Sequence, residues 1–261
     1  MLLEGKKILI MGIRNKWSIA WGVANSCAEN GAQVIFTHNT MESAEKVNAL
    51  IQELPNPNGF EVESFQCDAG SDQSIQECLE KVKAKYGKID GILHSIAHAN
   101  TEDLRNDFYK TSREGYAHAC DISAYSLVAT TRIAKEIDLL NENASIVALT
   151  YYGAEKAIDG YNVMGVAKAA LEASIRYLAM NFGKENIRVN GISAGPIKTL
   201  SAKGIKDFNS ILDIVEERAP LHRNVTTREV GDAVTFLFSS MSSAITGEII
   251  HVDNGYSIMG V

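Results

Sequence analysis

The sequence alternates short apolar runs with longer segments of helical period, and this alternation restricts the chain to few folds. The apolar runs are about four to six residues long. They lack polar alternation, as expected for strands that helices cover on both faces. The predicted strands are residues 7–11, 33–37, 62–66, 91–95, 145–149, 188–192 and 248–252.

The segments between these runs predict helices, which span residues 18–30, 42–54, 73–86, 113–138, 165–182 and 227–239. Strands that alternate with helices require parallel pairing with right-handed crossovers. The sequence therefore predicts an α/β fold, a doubly wound, Rossmann-type parallel sheet of about seven strands with helices on both faces. We find no repeat, low-complexity stretch or Pro/Gly-rich linker, so we expect a single domain over residues 1–261.

Composition excludes several classes of protein. The chain has 25 Lys and Arg against 32 Asp and Glu, a net charge of −7, whereas a general nucleic-acid binder needs a basic face. No apolar run approaches the roughly 20 residues of a membrane span, and no signal-peptide layout is present. The four cysteines are scattered without a Cys-x-x-Cys pair, and the histidines do not cluster with carboxylates. We expect a cytoplasmic protein without disulfides or a metal site.

The turn after the first strand is suited to binding a phosphate. Gly12 at the strand end allows a tight turn, and Ser18 can cap the helix that follows. The helix N-terminus at Ile19 then offers free N–H groups to a pyrophosphate. The strict G-x-G-x-x-G string is absent, so an ordinary β–α turn remains the alternative.

Two further strand ends support a nucleotide site. Strand three ends before Asp68 and Ala69, which places a carboxylate where an adenine amino group can bind. Strand four ends at Ser95 and Ile96, followed by the small Ala97, which lets a ligand approach the backbone. Ligands of open α/β sheets bind outside the carboxyl ends of the strands. A dinucleotide site is therefore predicted there.

The end of strand two determines the choice of cofactor. A 2′-phosphate favours arginine or lysine here, and none occurs before Lys46. The acidic partner of a free 2′-hydroxyl is also missing, but Asn39 can hydrogen-bond there, and Glu42 would repel an extra phosphate if it pointed inward. We expect NADH rather than NADPH.

The second half of the chain resembles the short-chain dehydrogenase/reductase superfamily. Lys168 lies twenty residues before a strand that begins Arg188-Val189-Asn190 and ends in a Gly-Pro turn. Carbonyl-reducing members pair this lysine with a tyrosine four residues earlier, where this chain has Met164. A tyrosine instead stands seven residues before the lysine, at Tyr161, with Tyr151 ten residues further upstream.

The Tyr161-x6-Lys168 spacing with the upstream Tyr151 resembles the enoyl-acyl-carrier-protein reductase family, and the resemblance covers nearly the whole chain. The agreeing segments are Gly12-x5-Ser18-Ile19-Ala20, His94-Ser95-Ile96, Asp121-Ile122-Ser123, Tyr161-Asn162-Val163-Met164-Gly165, Ile197-Lys198-Thr199, Gly204-Ile205-Lys206-Asp207-Phe208 and His251-Val252-Asp253.

The resemblance implies reduction of the C2–C3 double bond of trans-2-enoyl thioesters, the last step of the fatty-acid elongation cycle. Hydride then goes to C3, and negative charge develops on the thioester oxygen. Tyr161 is assigned to that oxygen, Lys168 to the nicotinamide-ribose hydroxyls, and Tyr151 to the site wall with a part in proton delivery. A neighbouring ammonium is expected to favour ionised Tyr161.

Other roles follow from the same resemblance. Ile197 and Thr199 join the cofactor contacts. The acyl chain is expected to lie against Ala99, Met164, Ile205 and Phe208. Residues 199–215 are expected to form a lid, with a plain surface helix as the alternative. The acyl group is expected on acyl-carrier protein, with Lys203 and Lys206 near the pocket mouth, and the assembly is expected to be a homotetramer. Independently of the resemblance, His98 lies near a strand end and is expected to be the one histidine facing the site.

Two other functions remain open at this point. A carbonyl reductase of the same fold is one, although Met164 at the usual tyrosine position argues against it. A non-catalytic nucleotide-binding protein is the other, because fold alone does not determine function.

Overall fold

The computed structural model describes residues 1–199 and 208–260, and these contain one seven-stranded parallel sheet. The strands are β1 (Lys7–Met11), β2 (Gln33–His38), β3 (Ser64–Gln66), β4 (Ile89–His94), β5 (Leu140–Thr150), β6 (Arg188–Ala194) and β7 (Ile249–Val252). Their order is β3-β2-β1-β4-β5-β6-β7, and every neighbouring pair is parallel. The predicted fold class is confirmed.

The helices of the described chain are α1 (Ile19–Glu29), α2 (Met41–Ile51), α3 (Asp72–Tyr86), α4 (Thr101–Arg105), α5 (Arg113–Cys120), α6 (Ser126–Glu136), α7 (Asn162–Phe182), α8 (Phe208–Arg218) and α9 (Thr227–Phe238). The chain runs outward from β1 to β3 and then returns to place β4 on the other side of β1. The connections after β1 and β4 therefore diverge, which opens a crevice at the carboxyl edge of the sheet.

The hydrophobic core forms two layers, one on each face of the sheet. The first contains side chains of α3, α6 and α7, such as Leu79, Leu127 and Leu171. The second contains side chains of α1, α2 and α9, such as Val23 and Val234. Both faces of each central strand are buried, so no residue of these strands faces solvent. This explains why their sequences are continuously apolar.

Helices α1 and α9 approach each other closely through two glycines. A Cβ atom at Gly22 would lie 2.2 Å from the carbonyl oxygen of Thr227, and one at Gly231 would lie 2.5 Å from the carbonyl oxygen of Gly22. The side chain of any other residue would force the two backbones apart. Gly22 therefore serves the packing of α1 against α9 and not the turn after β1, although it lies close to that turn in sequence.

The predicted helix over residues 113–138 is observed as one continuous helical stretch over residues 113–136, which contains a π-helical turn. The structure ends α5 at Cys120, inserts a π-helical turn over Asp121–Tyr125 and then begins α6 at Ser126. Within this turn the Ser123 hydroxyl donates to the His98 carbonyl at 3.1 Å, a tertiary contact that helical periodicity does not reveal.

Smaller differences concern the ends of elements. Strand β5 begins five residues earlier than predicted, at Leu140 rather than 145, and α7 begins at Asn162 rather than 165. Strand β3 is shorter than predicted, since it begins at Ser64 rather than 62. The five-residue α4 was missed, because a helix this short has no measurable period.

We predict that Gly22→Ala destabilises the fold by about 1–3 kcal/mol, because the added methyl group overlaps the backbone of α9. Urea unfolding followed by circular dichroism measures this. Gly183→Ala is the matched control, since a Cβ atom at Gly183 meets no atom within 4 Å. Equal urea midpoints for the two variants would show that the α1–α9 contact accommodates the methyl group without loss of stability.

Candidate active site

A cavity of about 800 Å³ lies at the carboxyl edge of the sheet, where the connections of β1 and β4 diverge. The turns after β1, β4 and β6, the ends of β2, β3 and β5, and one face of α7 form its walls. The predicted site residues that line it are Gly12, Ser18, Ile19, Asn39, Asp68, Ala69, Ser95, Ile96, Ala99, Tyr151, Tyr161, Met164, Lys168, Ile197, Thr199 and Phe208. The remaining one, Ile205, lies outside the described residues. The structure thus brings these residues together, and their individual roles stay predictions.

The turn after β1 is shaped by Gly12. Its φ angle is +90°, and a Cβ atom there would lie 2.0 Å from the carbonyl oxygen of Ser95. The turn can therefore pack against the turn after β4 only with glycine at this position. Ser18 caps α1 as predicted, since its hydroxyl accepts from the Trp21 N–H at 3.3 Å. The first turn of α1 thus presents its remaining N–H groups at the cavity, a suitable arrangement for a pyrophosphate.

The ends of β2 and β3 form the opposite end of the cavity. The Asp68 carboxylate accepts from the Gly70 N–H at 3.0 Å, which orients the side chain at the cavity wall. Asn39 lies exposed at the edge. Glu42 pairs with Lys46 at 2.6 Å on the surface of α2 and does not line the cavity. This carboxylate therefore gives no argument about the cofactor.

Lys168 projects from α7 into the cavity and is only 6% exposed. Its ammonium donates to the carbonyl oxygen of Leu149 at 2.7 Å. Burial lowers the pKa of Lys168 to about 8, and Glu172 opposes this shift. An ammonium has three N–H donors, so two remain for a ligand. The residues present thus fit a dinucleotide, with N–H donors at both the phosphate end and the ribose end.

Glu172 raises the pKa of this lysine, and Thr150 holds Glu172; neither residue was predicted from the sequence. Glu172 lies one helical turn after Lys168 and accepts from the Thr150 hydroxyl at 2.7 Å. Burial raises the pKa of Glu172, and Thr150 itself lines the cavity. The i, i+4 spacing on α7 was the available signal for Glu172. Nothing local in sequence connects Thr150 to it.

Tyr151 and Tyr161 pack edge to face, with ring centroids 4.8 Å apart and an interplanar angle of 70°. Gly153 makes room for them, since a Cβ atom there would lie 2.4 Å from the Tyr161 ring. Burial raises the pKa of Tyr161 above its usual value, and Tyr151 and Glu172 add to the rise. The expectation that the Lys168 ammonium favours ionised Tyr161 is therefore wrong. Tyr161 keeps its proton because its ring is desolvated, and it can act as an O–H donor.

The wall beside the tyrosines is apolar. Tyr161, Met164 and Leu104 belong to one buried cluster, and Ala99 packs against it. Phe208, the first residue of α8, closes this side of the cavity. Such a wall suits a hydrocarbon chain next to the tyrosine hydroxyls.

Several polar residues of the cavity were missed by sequence reasoning. His98 lines it as expected, but His38 and His118 do so as well, which corrects the view that His98 alone faces the site. Arg14 in the turn after β1 also lines it. His118 belongs to α5, so its position depends on how that helix packs, and no sequence spacing indicates it.

The comparisons with known proteins agree with this site. A model of the enoyl-(acyl carrier protein) reductase family matches residues 12–257. The curated enoyl-[acyl-carrier-protein] reductase [NADH] of Bacillus subtilis is 51% identical over 98% of this chain and 97% of its own length. The [NADPH] reductase of Staphylococcus aureus is 51% identical over 97% of each chain.

A solved structure shows the same fold. The Bacillus cereus enoyl-acyl carrier protein reductase, crystallised with NADP⁺ and indole naphthyridinone, superposes with a TM-score of 0.96 at 49% identity. The superposition covers 100% of this chain and 99% of that one. Both the matched range and the identities extend over nearly the full length. The chain therefore belongs to the enoyl-(acyl carrier protein) reductase family.

Proposed function

We propose that this protein reduces the C2–C3 double bond of trans-2-enoyl thioesters on acyl-carrier protein, with NADH as the reductant, in the last step of fatty-acid elongation. One observation carries the proposal: Tyr161 and Lys168 line the same cavity, while Met164 occupies the position of the carbonyl-reductase tyrosine. The relatives' printed names support the reaction.

Tyr161 is positioned to stabilise negative charge at a distance from the reacting carbon. A nicotinamide nucleotide supplies the hydride that goes to C3 of the substrate. The electrons of the double bond then move toward the thioester oxygen, where the protonated Tyr161 hydroxyl donates a hydrogen bond. A neutral tyrosine suits this task better than an ionised one, since a phenolate has no proton to donate.

Lys168 and Tyr151 complete this proposal. The two free N–H donors of Lys168 bind the nicotinamide-ribose hydroxyls, and its positive charge favours the developing anion. Tyr151 packs its ring against Tyr161 and helps return a proton to the reduced substrate. Its hydroxyl also has a pKa raised by burial, so it too keeps its proton at neutral pH.

NADH is the proposed form of the cofactor, while the comparisons support a nicotinamide nucleotide in general. Relatives named for NADH and for NADPH are equally similar to this chain, so identity does not decide. The residues of β2, its turn and the start of α2 that line the cavity in the described chain are Thr37, His38, Asn39, Thr40 and Ser43. This set has no lysine or arginine to bind a 2′-phosphate.

A lid over residues 199–215 and docking of acyl-carrier protein are further parts of the proposal. Thr199 and Phe208 both line the cavity, and residues 200–207 of the proposed lid lie outside the described residues. Lys203 and Lys206, the basic residues expected at the mouth, lie outside the described residues. We propose that residues 1–261 function as one domain.

We also propose a homotetramer that assembles through the long helices and the C-terminal region. The side chains of Tyr177 and Met180 on α7 are 69% and 65% exposed in the single chain, and Ile258 is 78% exposed. Exposed apolar groups on one helix favour a contact between copies. Sedimentation equilibrium tests this, and the mass of a single chain would refute it.

A cytoplasmic location is proposed as well. All four cysteines are free thiols in the structure, as expected in a reducing compartment. Within the described ranges, no helix has both the length and the apolar character needed to cross a bilayer.

We expect rapid loss of NADH absorbance with a medium-chain trans-2-enoyl thioester and much slower loss of NADPH absorbance. Carrier-protein and coenzyme A thioesters are assayed in parallel. Preference for NADPH would refute the proposed cofactor but not the proposed reaction. Faster turnover of a ketone would favour a carbonyl reductase, and cofactor binding without any turnover would favour a binding protein.

Tyr161→Phe is expected to lower kcat about 10²–10³-fold, the usual loss when one donor to an oxyanion is removed. The Kd for NADH, measured by fluorescence, is expected to stay within about twofold, since the hydroxyl acts on the thioester. Tyr152→Phe is the matched control, because Tyr152 lies outside the cavity and contacts the Ser257 carbonyl at 3.4 Å. Near-normal turnover by Tyr161→Phe would remove the proposed mechanism.

Activity is expected to fall as pH rises through about 8, the pKa of buried Lys168. The charged ammonium is present below this pH and is lost above it, so ribose binding and charge stabilisation weaken together. The pH profile of kcat/KM for the cofactor reports the groups of the free enzyme. Lys168→Arg keeps its charge and should show no fall near pH 8, whatever its absolute rate. A fall in activity near pH 8 that persists in Lys168→Arg would show that another group titrates there.

A further inference from the structure

The cavity is positively charged although the chain as a whole carries a net charge of −7. Within the described ranges, the charged residues that line it are Arg14, Lys168 and Asp68. Asp68 lies at the β3 end, so the wall between the β1 turn and α7 holds only cations. Arg14 forms no ion pair with any described residue. An unpaired guanidinium on a cavity wall favours an anionic ligand.

Two histidines on this wall share one proton position. The Nδ1 atom of His98 and the Nε2 atom of His118 are 2.7 Å apart, and the two rings meet edge to face at 5.0 Å. A gap of this length holds one hydrogen, so one nitrogen donates and the other accepts. The backbone of His98 is held in turn by Ser123, whose hydroxyl accepts from the His98 N–H at 3.0 Å.

The hydrogen bond between His98 and His118 can persist when the pair gains one proton. The outer ring nitrogens, which take no part in this contact, are Nε2 of His98 and Nδ1 of His118. In the neutral pair one of them carries no hydrogen, so only the other can donate to a ligand. When the bare nitrogen takes up a proton, both outer nitrogens become donors and the pair carries one positive charge. A second added proton would place two hydrogens in the gap and would break the contact. The geometry of the contact is therefore compatible with a neutral and with a singly charged pair.

The surroundings of His98 favour its neutral form. Burial lowers the pKa of His98 most, and His118 on α5 and Arg14 in the β1 turn lower it further. Asp103 on α4 accepts from the Ser112 N–H at 3.3 Å and lies against Gly115. An anion between Arg14 and the histidines would remove the repulsion that opposes protonation.

We propose that Arg14, His98 and His118 form a phosphate-binding site on the wall of the cavity, and that binding of the phosphate is coupled to uptake of one proton by the histidine pair. The ligand class is a phosphate ester or diphosphate. Two sources in the proposed reaction carry this chemistry, the cofactor and the phosphate-containing arm of the acyl donor. The inference rests on the cavity and its charges, and it extends the proposed function by naming how that cavity recognises phosphate.

The first test uses the full-length wild-type protein and requires no turnover. Inorganic pyrophosphate and NADH are titrated by calorimetry at pH 7.5 in two buffers of different ionisation enthalpy. The expected result is a heat that depends on the buffer and corresponds to net proton uptake for at least one of the two ligands. Titration of ¹⁵N-histidine-labelled protein with pyrophosphate should shift the signals of His98 and His118. No proton uptake and no shift would overturn the proposal.

The second test compares variants by their affinity for the same two probes. Arg14→Gln, His98→Gln and His118→Gln are each expected to weaken binding of pyrophosphate about tenfold, the usual effect of losing one charge-assisted hydrogen bond. The histidine variants should also abolish the proton uptake. His222→Gln is the matched control, since His222 is exposed and does not line the cavity. Unchanged affinity in all three cavity variants would overturn the proposal, and thermal unfolding confirms that each variant is folded.

The source of the phosphate is decided by comparing ligands. A variant that loses affinity for NADH assigns the site to the cofactor. A variant whose kcat/KM falls about tenfold for the coenzyme A thioester relative to the N-acetylcysteamine thioester, which has no phosphate, assigns it to the acyl donor. Because the calorimetry involves no reaction, failure of the reductase proposal would leave the phosphate site independently testable.

Discussion

The contact between the turns after β1 and β4 determines how the cavity is arranged. Gly12 lets the β1 turn pass so close to the Ser95 carbonyl that no side chain fits between them. The Ser95 N–H donates to the Met11 carbonyl at 3.2 Å, which joins the same two turns. This contact places the N-terminus of α1 beside the end of β4 and so beside the face of α7 that carries Lys168.

Burial at the other end of the cavity sets the direction of the pKa shifts there. Desolvation lowers the pKa of Lys168 and raises the pKa values of Tyr151, Tyr161 and Glu172. These shifts share one physical cause, the loss of water around the charged form. They leave two tyrosine hydroxyls able to donate and one lysine close to its titration point. The same low-dielectric wall strengthens each hydrogen bond to charge that develops on a substrate.

Much of the fold could be predicted from the sequence, because parallel strands covered on both faces must be continuously apolar. The strand-end residues Asp68 and Ser95 were found for the same reason, since residues after parallel strands meet at one edge of the sheet. The π-helical turn over Asp121–Tyr125 within the predicted helix was missed, because it keeps the apolar pattern nearly unchanged. Tyr161 was found through its spacing to Lys168, but its protonation was predicted incorrectly, since burial cannot be read from spacing.

The sequence by itself determined the parallel sheet, because that depends on a periodic pattern. It also predicted the turn at Gly12 and the residues Tyr161 and Lys168 as parts of one site, because these residues are recognised by their spacing along the chain, and all three line the same cavity. Only the tertiary structure decided which groups from distant segments face each other. His98 and His118 are brought together by the packing of α5 against the β4 turn, and Thr150 meets Glu172 across β5 and α7. The pKa values of the site likewise depend on how much water the assembled walls exclude, which is a property of the packed structure rather than of any local segment.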